Sequence, residues 1–140
     1  MKVKKLTEKN IEEKSKTLPQ ERYVAYFDGA GMRPDGTGSG YAWFIENNGI
    51  KMVQRMDGLT SNQAEYRGFL SLVKHLPEYS KCDLNSDSML VVSQFNKVWA
   101  VRDPELKRLL YQVRDAIQER HLKVRLKWVP RRENRAGKLL

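Results

Sequence analysis

Apolar and polar positions change their period twice along this 140-residue chain. From Arg22 to Ala30 the run RYVAYFDGA is aromatic and β-branched and closes on a turn, which predicts a strand. The glycine-rich GMRPDGTGSG that follows lacks the lysine and the helix of a phosphate-cradling loop, so it reads as a hairpin connection. YAWFIEN and IKMVQRMDG, joined at Asn48-Gly49, predict a second and a third strand in an antiparallel meander. At Asn62 the period becomes helical. Ala64, Phe69, Leu72, Val73 and Leu76 share a face, and Pro77 stops the helix. CDLNSDS (82–88) is a short strand running into a polar turn, and MLVVSQF opens another helix. Asp103-Pro104-Glu105 is a cap with proline at the first helical position, ahead of an apolar stripe of Leu106, Leu109, Leu110, Val113 and Ile117. LKVRLKWV (122–129) alternates apolar with basic residues, as a half-buried strand does. The order β-β-β-α-β-α-α-β, with a short terminal helix or loop, predicts an α/β fold. Its sheet is mixed and five-stranded, three antiparallel strands followed by parallel βαβ crossovers, with flanking helices.

Charge refines this picture at the two ends. The net charge is +9, with seven bases and four acids in residues 1–22, eight bases and one acid in 120–140, and near neutrality between. Two readings stay open on charge alone: a polyanionic partner, nucleic acid ahead of a membrane surface, or basic ends that only aid solubility. Residues 1–21 mix charge with few apolar positions and read as a basic, flexible arm, leaving 22–140 as one folded domain. No apolar run approaches the ~20 residues of a membrane span. The N-terminal stretch has no apolar core of a secretory signal. Cys82, the single cysteine, excludes an internal disulfide and a cysteine zinc site and fits a reducing compartment. A cytoplasmic monomer is expected.

Three acids occupy places a surface charge would not choose. Asp28 ends the most apolar strand, Glu65 lies early in a helix behind Thr60-Ser61-Asn62-Gln63, and Asp87 stands between a strand and an apolar helix. Each has a plain structural alternative: a turn residue for Asp28, a dipole partner for Glu65, a helix cap for Asp87. Taken together, a strand end, a helix start and the next strand's end can converge on one edge of such a sheet. Carboxylates packed together repel unless cations or protons neutralise them. Hard oxygen ligands suit Mg²⁺ or Mn²⁺. Beside a polyanion, that combination implies phosphodiester chemistry.

The blocks YFDGA (26–30), TSNQAEYRGFL (60–70), SDSMLVVSQFN (86–96) and WVPRREN (128–134), in this order and spacing, resemble type 1 ribonuclease H over residues 22–140. The resemblance implies cleavage of the RNA strand of an RNA–DNA hybrid, leaving a 3′-hydroxyl and a 5′-phosphate, with two Mg²⁺ or Mn²⁺ ions at the site when substrate is bound. It casts Asp28, Glu65 and Asp87 as catalytic metal ligands, Glu65 also lying near a ribose 2′-hydroxyl. Asn62 and Gln63 match positions that contact the hybrid's minor groove, and Thr60 one that contacts a DNA phosphate. Gly29 and Asn96 join the expected substrate-binding set. Capping by Thr60 and Asn62 is compatible with these roles.

The chain also departs from the commonest bacterial pattern. Only KVWAVRD separates Asn96 from Pro104, so the basic substrate-binding protrusion is missing, and VPRREN replaces a histidine-containing loop. Both features look like the archaeal and plant-like branch. Trp99 within KVWAVRD either packs or stacks on a sugar, with packing favoured because tryptophan is so often buried. His75 and His121 match no proton-shuttling position. In the family an aspartate four residues after Asn134 holds the second ion. Strict spacing puts Lys138 there, and a one-residue deletion puts Gly137 there; either way the carboxylate is gone. Glu133 and Asn134 are the nearby substitutes. Weak activity in Mg²⁺ and more in Mn²⁺ is expected. The alternative is a hybrid or double-stranded RNA binding module with impaired catalysis.

Overall fold

A computed structural model describes residues 22–140; the arm expected at 1–21 lies outside the described residues. The elements follow the predicted order: β1 (Arg22–Ala30), β2 (Gly40–Ile45), β3 (Lys51–Arg55), α1 (Ser61–His75), β4 (Lys81–Ser86), α2 (Met89–Phe95), α3 (Pro104–Glu119) and β5 (Lys123–Trp128). Two short 3₁₀ turns, Arg131–Glu133 and Gly137–Leu139, take the place of the terminal helix or loop. The strands form one sheet in the order β3-β2-β1-β4-β5. β1 pairs antiparallel with β2 and parallel with β4, so the central strand is the seam between the meander and the crossover half.

The period-two alternation of β1 sorts its side chains. Ala25 and Phe27 are buried toward α1, where Phe27 stacks on Phe69 with ring centroids 4.6 Å apart. Leu72 and Val73 of α1 and Leu109, Leu110 and Val113 of α3 complete this core, as the two apolar stripes require. Burial of that size supplies most of the drive to fold, at roughly 25 cal/mol per Å² of apolar surface. β2 stops at Ile45, short of the predicted Asn47, because Asn47 turns its side chain onto β1. Its Oδ1 accepts from the Val24 amide (2.8 Å) and its Nδ2 donates to the Arg22 carbonyl (2.9 Å). Gly49, at φ +72°, makes the tight return into β3, as Asn-Gly demands.

Capping sets the helix starts. Thr60 and Gln63 exchange side-chain and backbone bonds in a capping box for α1, and Asp103 Oδ1 accepts from Leu106 N at α3. The loop after α2 corrects one expectation. Trp99 does not pack into the core; it is 48% exposed, next to a more exposed Val98. The amides at 98 and 99 are both tied to the Ser93 carbonyl of α2, while Val101, later in the same loop, packs against the core. Among the described residues, no helix is long and apolar enough to cross a membrane.

Candidate metal centre

Two glycines let α1 lie unusually close to β1. A Cβ on Gly29 would land inside the backbone of Ala64 and Glu65, and a Cβ on Gly68 would come within 3.1 Å of the Asp28 carbonyl. Missing side chains at these two contacts bring the second turn of α1 against the end of β1. Glu65 therefore stands beside Asp28. It is beyond the first turn of its helix, where the dipole effect has faded, so the dipole does not account for it. Asp87 arrives from the other side, on the turn after β4. Ser88, not Asp87, caps α2: its Oγ accepts from Val91 N at 3.2 Å, while Ser86 Oγ accepts from Ser88 N. The capping job being filled, the Asp87 carboxylate is free to face the sheet edge.

One oxygen from each of Asp28, Glu65 and Asp87 lies within 4.8 Å of the other two. Asp28 and Glu65 are buried, and Glu65 Oε2 has no hydrogen-bond partner. Burial, then the charge of Asp28, pushes the Glu65 carboxyl up to about 10. Burial also raises Asp28, opposed by the hydrogen bonds it receives from Glu65 and from the Gly29 amide (2.9 Å). Protonating Glu65 relieves the mutual repulsion of the three carboxyls. An all-oxygen donor set, a buried carboxyl oxygen without a partner, and an excess of negative charge fit a hard divalent cation. Binding one would displace that proton.

The C-terminal turn decides between the two spacings considered for the fourth acid. A Cβ on Gly137 would stand 3.0 Å from Asp28 Oδ2, so Gly137 occupies the place facing the cluster, and the exposed Lys138 does not. Neither proposed substitute fills the gap. Glu133 is exposed and stands outside the carboxylate group. Asn134 is 1% exposed, but it turns its amide nitrogen, not its oxygen, toward Asp87 (3.2 Å).

Of the expected substrate-binding residues, Thr60, Asn62 and Gln63 lie at the start of α1, Gly29 lies in β1 against α1, and Asn96 caps the end of α2. Thr60 is exposed at the N-cap of α1, and Asn62 is half-buried with no side-chain hydrogen bond to another described residue. Gln63 has committed its Oε1 to the capping box, which leaves its nitrogen free to donate. Gly29 presents its backbone between β1 and α1. Asn96 is exposed but ties α2 to β5 through Nδ2 to the Leu126 carbonyl (3.0 Å). Sequence reasoning missed Trp128, whose indole N–H donates to the Asp87 carbonyl (3.1 Å) and fixes the turn from β5. An exposed aromatic closing an otherwise basic strand was the available signal. It also missed the buried Tyr66–Gln94 bond (2.7 Å) that locks α2 to α1.

Comparison with known proteins places this geometry. Residues 27–140 match the family model described as reverse transcriptase-like. Ribonuclease HI of Halobacterium salinarum is 29% identical over 101 residues, covering 69% of this chain and 51% of that protein, so the chain spans about half that relative's length. The crystal structure of RNase H1 from the same archaeon superposes with a TM-score of 0.73 at 26% identity, over 86% of this chain and 94% of that one. LC11-RNase H1, solved in complex with an RNA/DNA hybrid, superposes with a TM-score of 0.72 at 25% identity, over 84% and 92% of the two chains.

Proposed function

From the premise that this chain belongs to the reverse transcriptase-like family and is a domain of the type 1 ribonuclease H kind, we propose that it is an endonuclease cutting the RNA strand of RNA–DNA hybrids. The observation that carries this reading is the convergence of Asp28, Glu65 and Asp87 within 4.8 Å beside the N-terminus of α1. These three would hold two Mg²⁺ or Mn²⁺ ions with substrate present. Such ions supply Lewis acidity to the phosphate and make water more acidic.

The chain's own groups do the rest. Asp28 would hold both cations. Glu65 and Asp87 flank the side from which water attacks, and Glu65 stands near the ribose 2′-hydroxyl that distinguishes RNA. The free Asn62 carboxamide and the Gln63 nitrogen reach into the minor groove, Thr60 takes a backbone phosphate, and Gly29 and Asn96 border the strand. The water oxygen forms a new bond to phosphorus as the bond to the ribose 3′-oxygen breaks. The departing oxygen takes up a proton, giving a 3′-hydroxyl, and the other fragment keeps the 5′-phosphate. Residues 22–140 act as the catalytic domain and 1–21 as a basic tether. A buried free thiol at Cys82 suits a reducing, cytoplasmic setting, and a monomer suffices for the site.

A second reading is favoured by Gly137, which leaves the place opposite Asp28 without a carboxylate. On that reading the domain binds hybrid but cleaves poorly. A labelled RNA–DNA hybrid incubated in Mg²⁺, in Mn²⁺ and in EDTA, alongside Asp87→Asn, separates the two. Metal-dependent RNA cuts that vanish in the variant support the nuclease. Tight binding without cuts in either metal overturns it.

A further inference from the structure

Asn134 is among the largest fully buried side chains, and its carboxamide is spoken for on three sides. Nδ2 donates to the Phe27 carbonyl (2.9 Å) and to Asp87 Oδ1 (3.2 Å), while Oδ1 accepts from the Ala136 amide (3.1 Å). The orientation follows from chemistry: a carbonyl can only accept and a backbone N–H can only donate. Flipping the amide would set oxygen against the Phe27 carbonyl and nitrogen against the Ala136 N–H, losing both bonds. The nitrogen must therefore face Asp87.

We infer that Asn134 is a positioning residue. It orients the Asp87 carboxylate toward Asp28 and holds the terminal turn that sets Gly137 over the cluster. Phe27 precedes Asp28 on the central strand, so one amide group couples the strand bearing one acid to the carboxylate of another. A neutral donor suits this task. A lysine or arginine at the same place would also orient Asp87, but its positive charge would compete with a bound cation. The amide fixes the carboxylate plane and leaves its negative charge available.

The inference rests on reading the acid cluster as a cation site, and the test separates the two. Mn²⁺ affinity is measured by electron paramagnetic resonance for the native chain, Asn134→Ala, Asp87→Ala and the double variant, each below its own melting temperature. Native binding is expected to be detectable and to depend on Asp87; no binding would sink the cation-site reading itself. Asn134→Ala is expected to weaken Mn²⁺ by about 10–100-fold, the usual loss when a partner of a metal ligand is removed. In the Asp87→Ala background the same change should cost less than about threefold, because the group it acts through is gone. Excess Mn²⁺ should restore kcat in Asn134→Ala. An affinity unchanged by Asn134→Ala, or an equal loss with and without Asp87, overturns the inference and leaves Asn134 a core residue. Should the variant not fold, the native protein still decides. The Asn134 side-chain ¹⁵N–¹H pair should resist hydrogen exchange and shift on Mg²⁺ titration together with the Asp87 amide. A pair that stays fixed while Asp87 moves overturns the inference.

Discussion

Gly137→Asp tests the account of the terminal turn most sharply. A Cβ at this position would sit 3.0 Å from Asp28 Oδ2, close enough to require a shift of a few tenths of an ångström, which a carboxylate can make by rotating. The added carboxylate would join acids already within 4.8 Å of one another. At that separation each like-charged pair costs about 3.5 kcal/mol at an effective dielectric of about 20. The cluster relieves part of this by taking up a further proton, leaving a destabilisation of roughly 1–3 kcal/mol without metal. The melting temperature in EDTA should therefore fall by roughly 5–10 °C. Cations reverse the sign. A new oxygen ligand should tighten Mn²⁺ by at least about tenfold, which under saturating Mn²⁺ returns about 1.4 kcal/mol per factor of ten. Thermal denaturation in EDTA and in excess Mn²⁺, with calorimetric titration of both proteins, measures both halves. Hybrid cleavage in Mg²⁺ should rise in parallel. A Mn²⁺ affinity within twofold of native, or a gain produced by Lys138→Asp instead, would refute the placement.

Three further outcomes follow from the same geometry. Gly29→Ala drives a methyl group into the backbone of Ala64 and Glu65, so it should cost about 1–3 kcal/mol in urea denaturation and move Glu65 off Asp28, lowering Mn²⁺ affinity as well; unchanged stability would contradict the close approach of α1. The Glu65 carboxyl, held up to about 10 in the cation-free fold against 4.5 ordinarily, keeps a proton that the unfolded chain releases. Stability in EDTA should accordingly fall as pH rises between those values, by at most about 1.4 kcal/mol per unit; Glu65→Gln should flatten that slope, and parallel curves would refute the protonated state. Hybrid affinity should fall steeply with salt, log K dropping by about 0.7–0.9 per phosphate neutralised for each tenfold rise in salt. A flat response would remove the role given to the basic ends.

Legibility in the sequence tracked how local each determinant is. The strands were readable because burial on one face of a sheet forces a two-residue alternation. The starts of α1 and α3 were readable because Thr60, Gln63 and Asp103 cap residues within three positions of themselves. The three acids stood out only together, because each alone had a plain local alternative, yet a strand end, a helix start and the next strand's end can meet at one sheet edge. What stayed hidden depends on distant partners. Gly29 looks like a turn residue until α1 is laid across it, and only then does the absence of a Cβ become the reason Glu65 can reach Asp28. Asn134 reads as an oxygen donor in one dimension. Its amide direction is fixed by Phe27, 107 positions away. Strict spacing and a single deletion are indistinguishable in a string of letters, and the distance from Gly137 to Asp28 separates them. Packing was favoured for Trp99 because tryptophan is usually buried, whereas here the backbone bonds of Val98 and Trp99 to the Ser93 carbonyl accompany a half-exposed indole.

The gap opposite Asp28 carries a thermodynamic obligation. Where a protein side chain does not complete a cation's surroundings, an incoming phosphate must, and linkage is reciprocal: whatever factor nucleic acid adds to ion affinity, the ion adds to nucleic-acid affinity. On the proposed reading, the site is expected to answer to two arrivals together and only feebly to either alone.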